Sequence, residues 1–488
     1  MALNEVEVVS KVEKGLFIGG KWIEATGGKS FVVEDPSTRK TICEVADASV
    51  DDAMAALDAA HAAFEAWAAT PPRYRGEIIR RAYEIIMARS EELALIMTLE
   101  MGKPLAEARG EVAYAADFFR WFAEEAVRID GRFYVAPDGN SRVLTMKQPV
   151  GVAYMITPWN FPLAMATRKM GPALAAGATV ILKPAEQTPL CSLALASILE
   201  EAGLPAGVVN VVTTSDPAGI SEALMNDDRL RKVSFTGSTE VGKILAERAG
   251  RRLLRVSMEL GGNAPFIVFD DADIDLAVGQ AMIAKMRNMG EACTSANRFL
   301  VDAKIANEFS EKLADRMAHL NLGRGTETDT NVGPLIDQAA IDKVTTLVSD
   351  AVANGAAILT GGRANLEDGY FFEPTVIVGT SSNSAISKNE IFGPVASVVT
   401  FNDEAEAIEL ANGTEYGLVA YVFTNNLSRG LRVIESLKTG MVGLNQGLVS
   451  NAAAPFGGVK DSGFGREGGF EGIEEYLDLK YIAINHRA

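Results

Sequence analysis

A chain of 488 residues is too long for one hydrophobic core, and its length predicts about three packed units. Its composition is that of an ordinary globular protein, 48% hydrophobic and 23% charged. The formal charge of -18 argues against nucleic acid, since phosphate binding needs a basic surface; a local basic pocket that selects a small anion is still compatible with it.

The N-terminal stretch MALNEVEVVSKVEKG mixes charges and lacks the apolar core of a secretory signal. No uncharged apolar run is long enough to span a bilayer; the run from Val150 to Ile156 stops at Pro158. The expected setting is therefore the reducing cytoplasm, with no membrane partner. Cys43, Cys191 and Cys293 are far apart and form no CxxC or CxxH spacing, so neither a disulfide framework nor a metal site is expected. Of the three histidines, His61 sits in an alanine-rich helical stretch and His486 near the end, with His319 between them. That placement argues against a Ser-His-Asp triad.

Residues 51–128 read mainly as helices. From Val150 short β-branched runs (GVAYMI, ATVIL, GVVNVV, RKVSF, RLLRVSM) alternate with helical stretches near 163–176, 188–202, 217–225 and 239–249, the pattern of a parallel, helix-covered sheet. A second alternating block starts at NAPFIVF. Asp270, Asp271 and Asp273 suit a helix start there, with Gly290 as its expected end. Further strands are expected at VASVVTF and LVAYVFT. The boundary between the two blocks falls at Gly261-Gly262. SRVLTMKQ and the tail YLDLKYIAINH alternate without local partners and are expected to pair with each other or across a subunit interface.

Gly463, Gly465 and Gly468 match GxGxxG, but no strand precedes them and too little chain follows for a βαβ unit. A glycine-rich loop is the better reading. Gly237 and Gly242, in SFTGSTEVG, follow a strand and open a helix, where free amides can hold a pyrophosphate; this signal is weak by itself. Cys293, in NMGEACTSANRF, reads equally as a packed thiol or as a nucleophile in a turn. Glu259, ending VSMEL, is either a solvated strand-end carboxylate or a base set by the glycine pair after it. Asn160, in TPWNFPL, could be a simple turn former.

Together, ITPWNFPL, LKPAEQTP, FTGSTEVG, MELGGNAP, GEACTSANRF, EIFGPV and PFGGVKDSGFGRE resemble the aldehyde dehydrogenase superfamily, in order and over nearly the whole chain. The resemblance implies an α/β fold of two Rossmann-like domains plus a β-hairpin oligomerisation arm. Its dinucleotide-binding domain would be 1–130 with 150–261, its catalytic domain 262–465, and its arm 131–149 with 466–488. It implies Cys293 as nucleophile, Glu259 as general base and Asn160 as the side-chain donor of an oxyanion hole, joined by the Cys293 N–H. For the dinucleotide it implies Lys183 and Glu186 at the adenosine ribose and Gly237 and Ser238 at the pyrophosphate. Trp159 would line the cleft, Leu260 would lie by the nicotinamide amide, and Glu390 and Phe392 would hold the nicotinamide ribose. NAD is expected over NADP, which remains possible, because Glu186 would repel a 2′-phosphate.

Within the superfamily ATRKMGPALAAG, ELGGNAPFIVFDDADID, MRNMGEAC and NQGLVSNAAAPFGGVK are most similar to succinate semialdehyde dehydrogenases. That likeness implies a distal-carboxylate site of Arg168, Arg287 and Ser450, either arginine being alternatively a structural ion-pair partner. Ser295 stands where many of that group carry a second cysteine, so no redox disulfide is expected. Glu291 stands in place of a common Gln and is expected to point away from the thiol. The expected activity is oxidation of succinate semialdehyde by a homodimer or homotetramer. The rivals are glutarate semialdehyde or an uncharged aliphatic aldehyde as substrate, an acylating enzyme that uses coenzyme A, and a catalytically silent binding relative. The retained Glu259 speaks against the acylating enzyme, and the intact Cys293, Glu259 and Asn160 against the silent relative.

Overall fold

The computed structural model describes residues 4–365 and 367–485; His486 lies outside them. Two α/β layers and a three-stranded antiparallel sheet carry most of the chain, with two further strand pairs, Ser30–Asp35 with Lys40–Ala46 and Ala364–Asn365 with Phe371–Phe372. The first sheet has the strand order Lys21–Ile23, Leu16–Ile18, Val209–Val211, Thr179–Lys183, Val152–Ile156, Leu230–Thr236, Arg255–Glu259, Gly463–Phe464. Its five central strands are parallel, and antiparallel strands close both edges. Thr179–Lys183 and Val152–Ile156 are buried along their whole length, as expected where helices cover both faces of a parallel sheet.

The second sheet runs Ala357–Thr360, Thr375–Val378, Val395–Phe401, Ala296–Asp302, Ala264–Val268, Val419–Phe423, Met441–Leu444, parallel except at its first strand. The third sheet answers the question of the orphan alternating segments. Ser141–Pro149 pairs antiparallel with Leu477–Asn485 and, on its other side, with Arg132–Val135. Both are segments of one chain, so no subunit boundary is needed to pair them.

Two boundaries differ from the sequence expectation. The helix Thr239–Arg252 consumes the start of RLLRVSM, so the next strand begins only at Arg255. The helix opened by the Asp273 cap, which accepts from Leu276 N–H at 3.0 Å, ends at Met286 rather than at Gly290. A tight turn over Arg287–Gly290 follows, in which Asn288 and Met289 take left-handed φ of 53° and 55°. Non-glycine residues occupy that region only under external restraint. Here the Asn288 side-chain amide supplies it, donating to the carbonyls of Asn160 at 3.0 Å and Glu291 at 2.9 Å.

The parallel strands of the first sheet all present their carboxyl ends to one cleft. Ile156 leads to Trp159 and Asn160, Thr236 to Gly237, and Glu259 ends its own strand. Ligands of open α/β sheets bind at this end. The turn bearing Cys293 immediately precedes Ala296–Asp302 of the second sheet, so the two layers meet at the thiol.

Candidate active site

A cavity of about 220 Å³ opens where the two layers meet, and its lining includes Trp159, Asn160, Gly237, Ser238, Glu259, Leu260, Cys293, Glu390 and Phe392. These nine positions come from five separate stretches of chain. Lys183, Glu186, Arg168, Arg287 and Ser450 lie outside that lining.

Cys293 is half-buried. Its turn is held by Tyr421, whose hydroxyl donates to the Thr294 carbonyl at 2.8 Å. A Cβ on Gly262 would come within 2.5 Å of the Cys293 carbonyl, so the close approach of the two layers at this point requires glycine. Burial pushes the thiol up to about 12, against the pull of the Arg168 and Arg287 guanidinium groups. Ser295 is buried two positions further on, where a serine hydroxyl stands in place of a second thiol.

Asn160 is anchored from several sides. Its Nδ2 donates to the Glu291 carbonyl at 2.9 Å, leaving the second amide hydrogen for a developing oxyanion. Its own carbonyl accepts from Lys103 Nζ at 2.8 Å. Lys103 forms a fully buried ion pair with Glu111, which also accepts from the N–H groups of Leu163 and Ala164 at 3.0 and 3.1 Å. Sequence reasoning missed Lys103, Glu111 and Asn288. They are remote in the chain and have no motif of their own, yet together they fix the donor.

Glu259 is 2% exposed, and neither carboxylate oxygen has a hydrogen-bond partner among the described residues. Burial holds its pKa well above the carboxylate range, with Glu467 adding to the rise while Arg168 and Lys169 oppose it. A buried carboxylate with open lone pairs on the cavity wall is suited to taking a proton from water.

Every residue of the helix Ala164–Ala176 is buried, so its two cations need partners. Glu467 pairs with both Arg168 and Lys169. The Arg168 guanidinium also stacks 4.2 Å from the Phe456 ring centroid. Arg287 is half-buried and has no carboxylate partner among the described residues. Its Nη1 lies 3.3 Å from Ser450 Oγ, and the guanidinium carbon sits 4.8 Å from the Phe161 ring centroid. The structure thus brings Arg287 and Ser450 together. Lys169 and Glu467 lie inside two of the recognised segments, ATRKMGPALAAG and PFGGVKDSGFGRE, but sequence reasoning gave them no role.

For a dinucleotide, the fit rests on three features. The helix Thr239–Arg252 offers its N-terminus at Ser238, whose hydroxyl accepts from Val241 N–H at 3.3 Å, next to Gly237. Phe392, at a φ of 57°, stands edge-on to Trp159 with ring centroids 5.4 Å apart. Glu390 accepts from Gly262 N–H at 3.0 Å through Oε1, which leaves Oε2 available to a ribose. At the far end Lys183 pairs with Glu186 at 3.6 Å. Lys343, on the helix Gln338–Ala353, also lines the cavity and had no local sequence signal.

A bound nicotinamide dinucleotide supplies the hydride acceptor. The chain's own residues do the rest. In the roles the resemblance implies, Cys293 would add to an aldehyde carbon, Asn160 Nδ2 and the Cys293 N–H would hold the oxyanion, and Glu259 would activate the water that hydrolyses the Cys293 thioester; all three line the cavity.

Glu291 turns away from the thiol, as expected. Its Oε1 accepts from Ile336 N–H at 3.2 Å, and burial raises its pKa well above the ordinary value. A carboxyl raised on folding binds more protons in the native than in the unfolded state, so it lowers stability as pH climbs from about 4.5. Glu291→Gln keeps the shape and removes that slope. The variant is expected to gain thermal stability relative to the parent as pH rises from about 5 to 8, with turnover essentially unchanged. A gap in melting temperature that stays constant with pH would refute the buried-carboxyl assignment.

A cleft at the carboxyl ends of a parallel sheet is where open α/β folds hold a dinucleotide, and here a thiol, a buried carboxylate and an amide donor line it. The aldehyde dehydrogenase family profile matches residues 22–482, and the chain belongs to that family, which makes it an NAD(P)-dependent oxidoreductase. It is 59% identical over 443 residues to a succinate-semialdehyde dehydrogenase of Paenarthrobacter nicotinovorans, covering 91% of this chain and 98% of that one. It is 49% identical to a glutarate-semialdehyde dehydrogenase of Pseudomonas putida, covering 96% and 97% respectively. Among solved structures, an NADP-dependent enzyme of E. coli superposes with a TM-score of 0.97 at 47% identity, covering 99% of this chain and all of that one.

Proposed function

We propose that the chain oxidises a short aldehyde carrying a carboxylate at its far end, succinate semialdehyde foremost, to the diacid, and that it prefers NAD. The observation that carries this reading is Arg287. A half-buried guanidinium without a carboxylate partner, flanked by Ser450 and the Phe161 ring and close enough to bear on the Cys293 thiol, is suited to an anionic substrate tail. Arg168 brings a second guanidinium to the same neighbourhood. Glutarate semialdehyde is the second reading, favoured by the relative of that name, since one more methylene would still end at the same arginines.

For the cofactor, the Glu186 carboxylate engages Lys183, and where the resemblance puts it, at the adenosine ribose, it would repel a 2′-phosphate. A homodimer or homotetramer in the cytoplasm is supported by the apolar arm, where Phe133, Tyr134, Val135, Leu479 and Tyr481 are exposed, and by three free cysteines. Among the described residues no helix is long and apolar enough to cross a membrane.

The test is a steady-state matrix, read by nicotinamide absorbance, of succinate semialdehyde, glutarate semialdehyde and butanal against NAD and NADP. Both semialdehydes should exceed butanal in kcat/KM, and NAD should exceed NADP. Butanal as the better substrate would overturn the carboxylate reading while the family assignment stood. A higher kcat/KM with NADP would overturn only the cofactor preference.

A further inference from the structure

Against Arg287 lies a residue that no motif singled out. Tyr114, on the helix Leu105–Glu125, packs edge-on against Phe118 with ring centroids 4.9 Å apart. Its other neighbour is Arg287, whose guanidinium carbon is 5.7 Å from the Tyr114 ring centroid. The phenol also bears on Arg168: burial works against that guanidinium's charge, Glu467 restores it, and Tyr114 comes next. Tyr114 thus lies near both guanidinium groups, as Cys293 does.

Its hydroxyl is buried and has no hydrogen-bond partner among the described residues. Arg168 Nη2 is in the same condition. Native interiors rarely leave such groups unmet, and two unmet donors beside an arginine without a carboxylate partner point to a polar guest. The packing shows why the hydroxyl matters. Phe118 already satisfies the ring, so phenylalanine would fill the site as well, and only the hydroxyl distinguishes the residue present.

We propose that the Tyr114 hydroxyl donates a hydrogen bond to the far carboxylate of the substrate, between Arg168 and Arg287, as a further specificity-determining contact. This rests on the carboxylated-aldehyde reading. A carboxylate has about four lone-pair sites, more than one bidentate guanidinium uses. A neutral donor on a rigid helix adds direction to a site whose arginines supply charge. It thereby ties binding to the position of the carboxylate as well as to its charge.

Tyr114→Phe tests the proposal, because it removes one oxygen and keeps the Phe118 contact and the stack on Arg287. The parent and the variant are assayed with succinate semialdehyde and with butanal. Inhibition by butyrate, which has the carboxylate and no aldehyde, is measured alongside, together with thermal stability. The expected result is a fall of about 10- to 100-fold in kcat/KM for succinate semialdehyde, carried mostly by KM. Butyrate inhibition should weaken in step, while butanal turnover stays within about twofold of the parent. Unchanged kinetics with succinate semialdehyde in the variant, when the parent prefers that substrate, would overturn the role of Tyr114 alone. An equal loss with butanal would make the hydroxyl structural and overturn it too. A parent that prefers butanal would remove the carboxylate reading and this inference with it.

Discussion

Cys293→Ala is expected to lower aldehyde oxidation by about ten-thousandfold or more, while NADH binding stays measurable by fluorescence. In the proposed mechanism a thiolate at this position forms the acyl intermediate, and neither other cysteine is placed to replace it. Cys191 is fully buried, and burial holds its thiol well above the ordinary range. Cys43 lies in a separate cavity lined by Lys14 and Arg324, with its thiol pushed up to about 11, mainly by burial. The Cys293 thiol is itself pushed up to about 12, so little thiolate exists at neutral pH. The acylation rate should therefore keep rising with pH from about 6 to 9, the direction in which thiolate accumulates. Measurable turnover by Cys293→Ala would sink the mechanism. A pre-steady-state rate that is flat across that interval would show that the thiol is activated more strongly than its surroundings imply.

Arg287→Ala should cost about 2–5 kcal/mol in transition-state binding of succinate semialdehyde, roughly 30- to several-thousand-fold in kcat/KM, with a far smaller loss for butanal. Arg287 has no carboxylate partner of its own among the described residues, so its removal strands no buried acid. Arg168→Ala should behave differently. It leaves Glu467 with Lys169 alone, and it removes a positive charge that opposes the raised pKa values of both Glu259 and Cys293. Both substrates should then suffer, because Glu259 and Cys293 are disturbed together. The two variants assayed on the two aldehydes separate the roles. Equal losses on butanal from Arg287→Ala would remove its assignment to the substrate tail. A butanal rate left intact by Arg168→Ala would show that Glu467 finds its compensation in Lys169.

Much of this was legible in the chain because it is written in local order. The alternation of β-branched runs with helical stretches after Val150 announced parallel sheets, since each strand must be buried on both faces and each crossover must be helical. The segments around Asn160, Glu259 and Cys293 were recognisable as family-like, and the structure brings the three residues to one cavity. A strand end, a turn and a glycine pair fix the backbone over a few residues, so the position of each group is a local property.

What only the tertiary structure decided is how these groups are held and charged. Lys103 and Glu111 support the Asn160 carbonyl across 57 and 49 positions of sequence, and Glu467 meets Arg168 and Lys169 almost 300 residues away. No periodicity records such pairings, because they follow from the burial of charged groups, which must find partners wherever the fold places them. The same holds for the helix that ends at Met286 instead of Gly290, where an asparagine side chain from the turn itself reaches across to the Asn160 loop. The sequence by itself determined the kinds of elements, because these depend on neighbours a few residues apart, while it named candidate reacting groups only through the order of its family-like segments. The ion pairs, the raised pKa values and the unmet Tyr114 hydroxyl were decided by the tertiary structure, because desolvation and contact depend on distance in space.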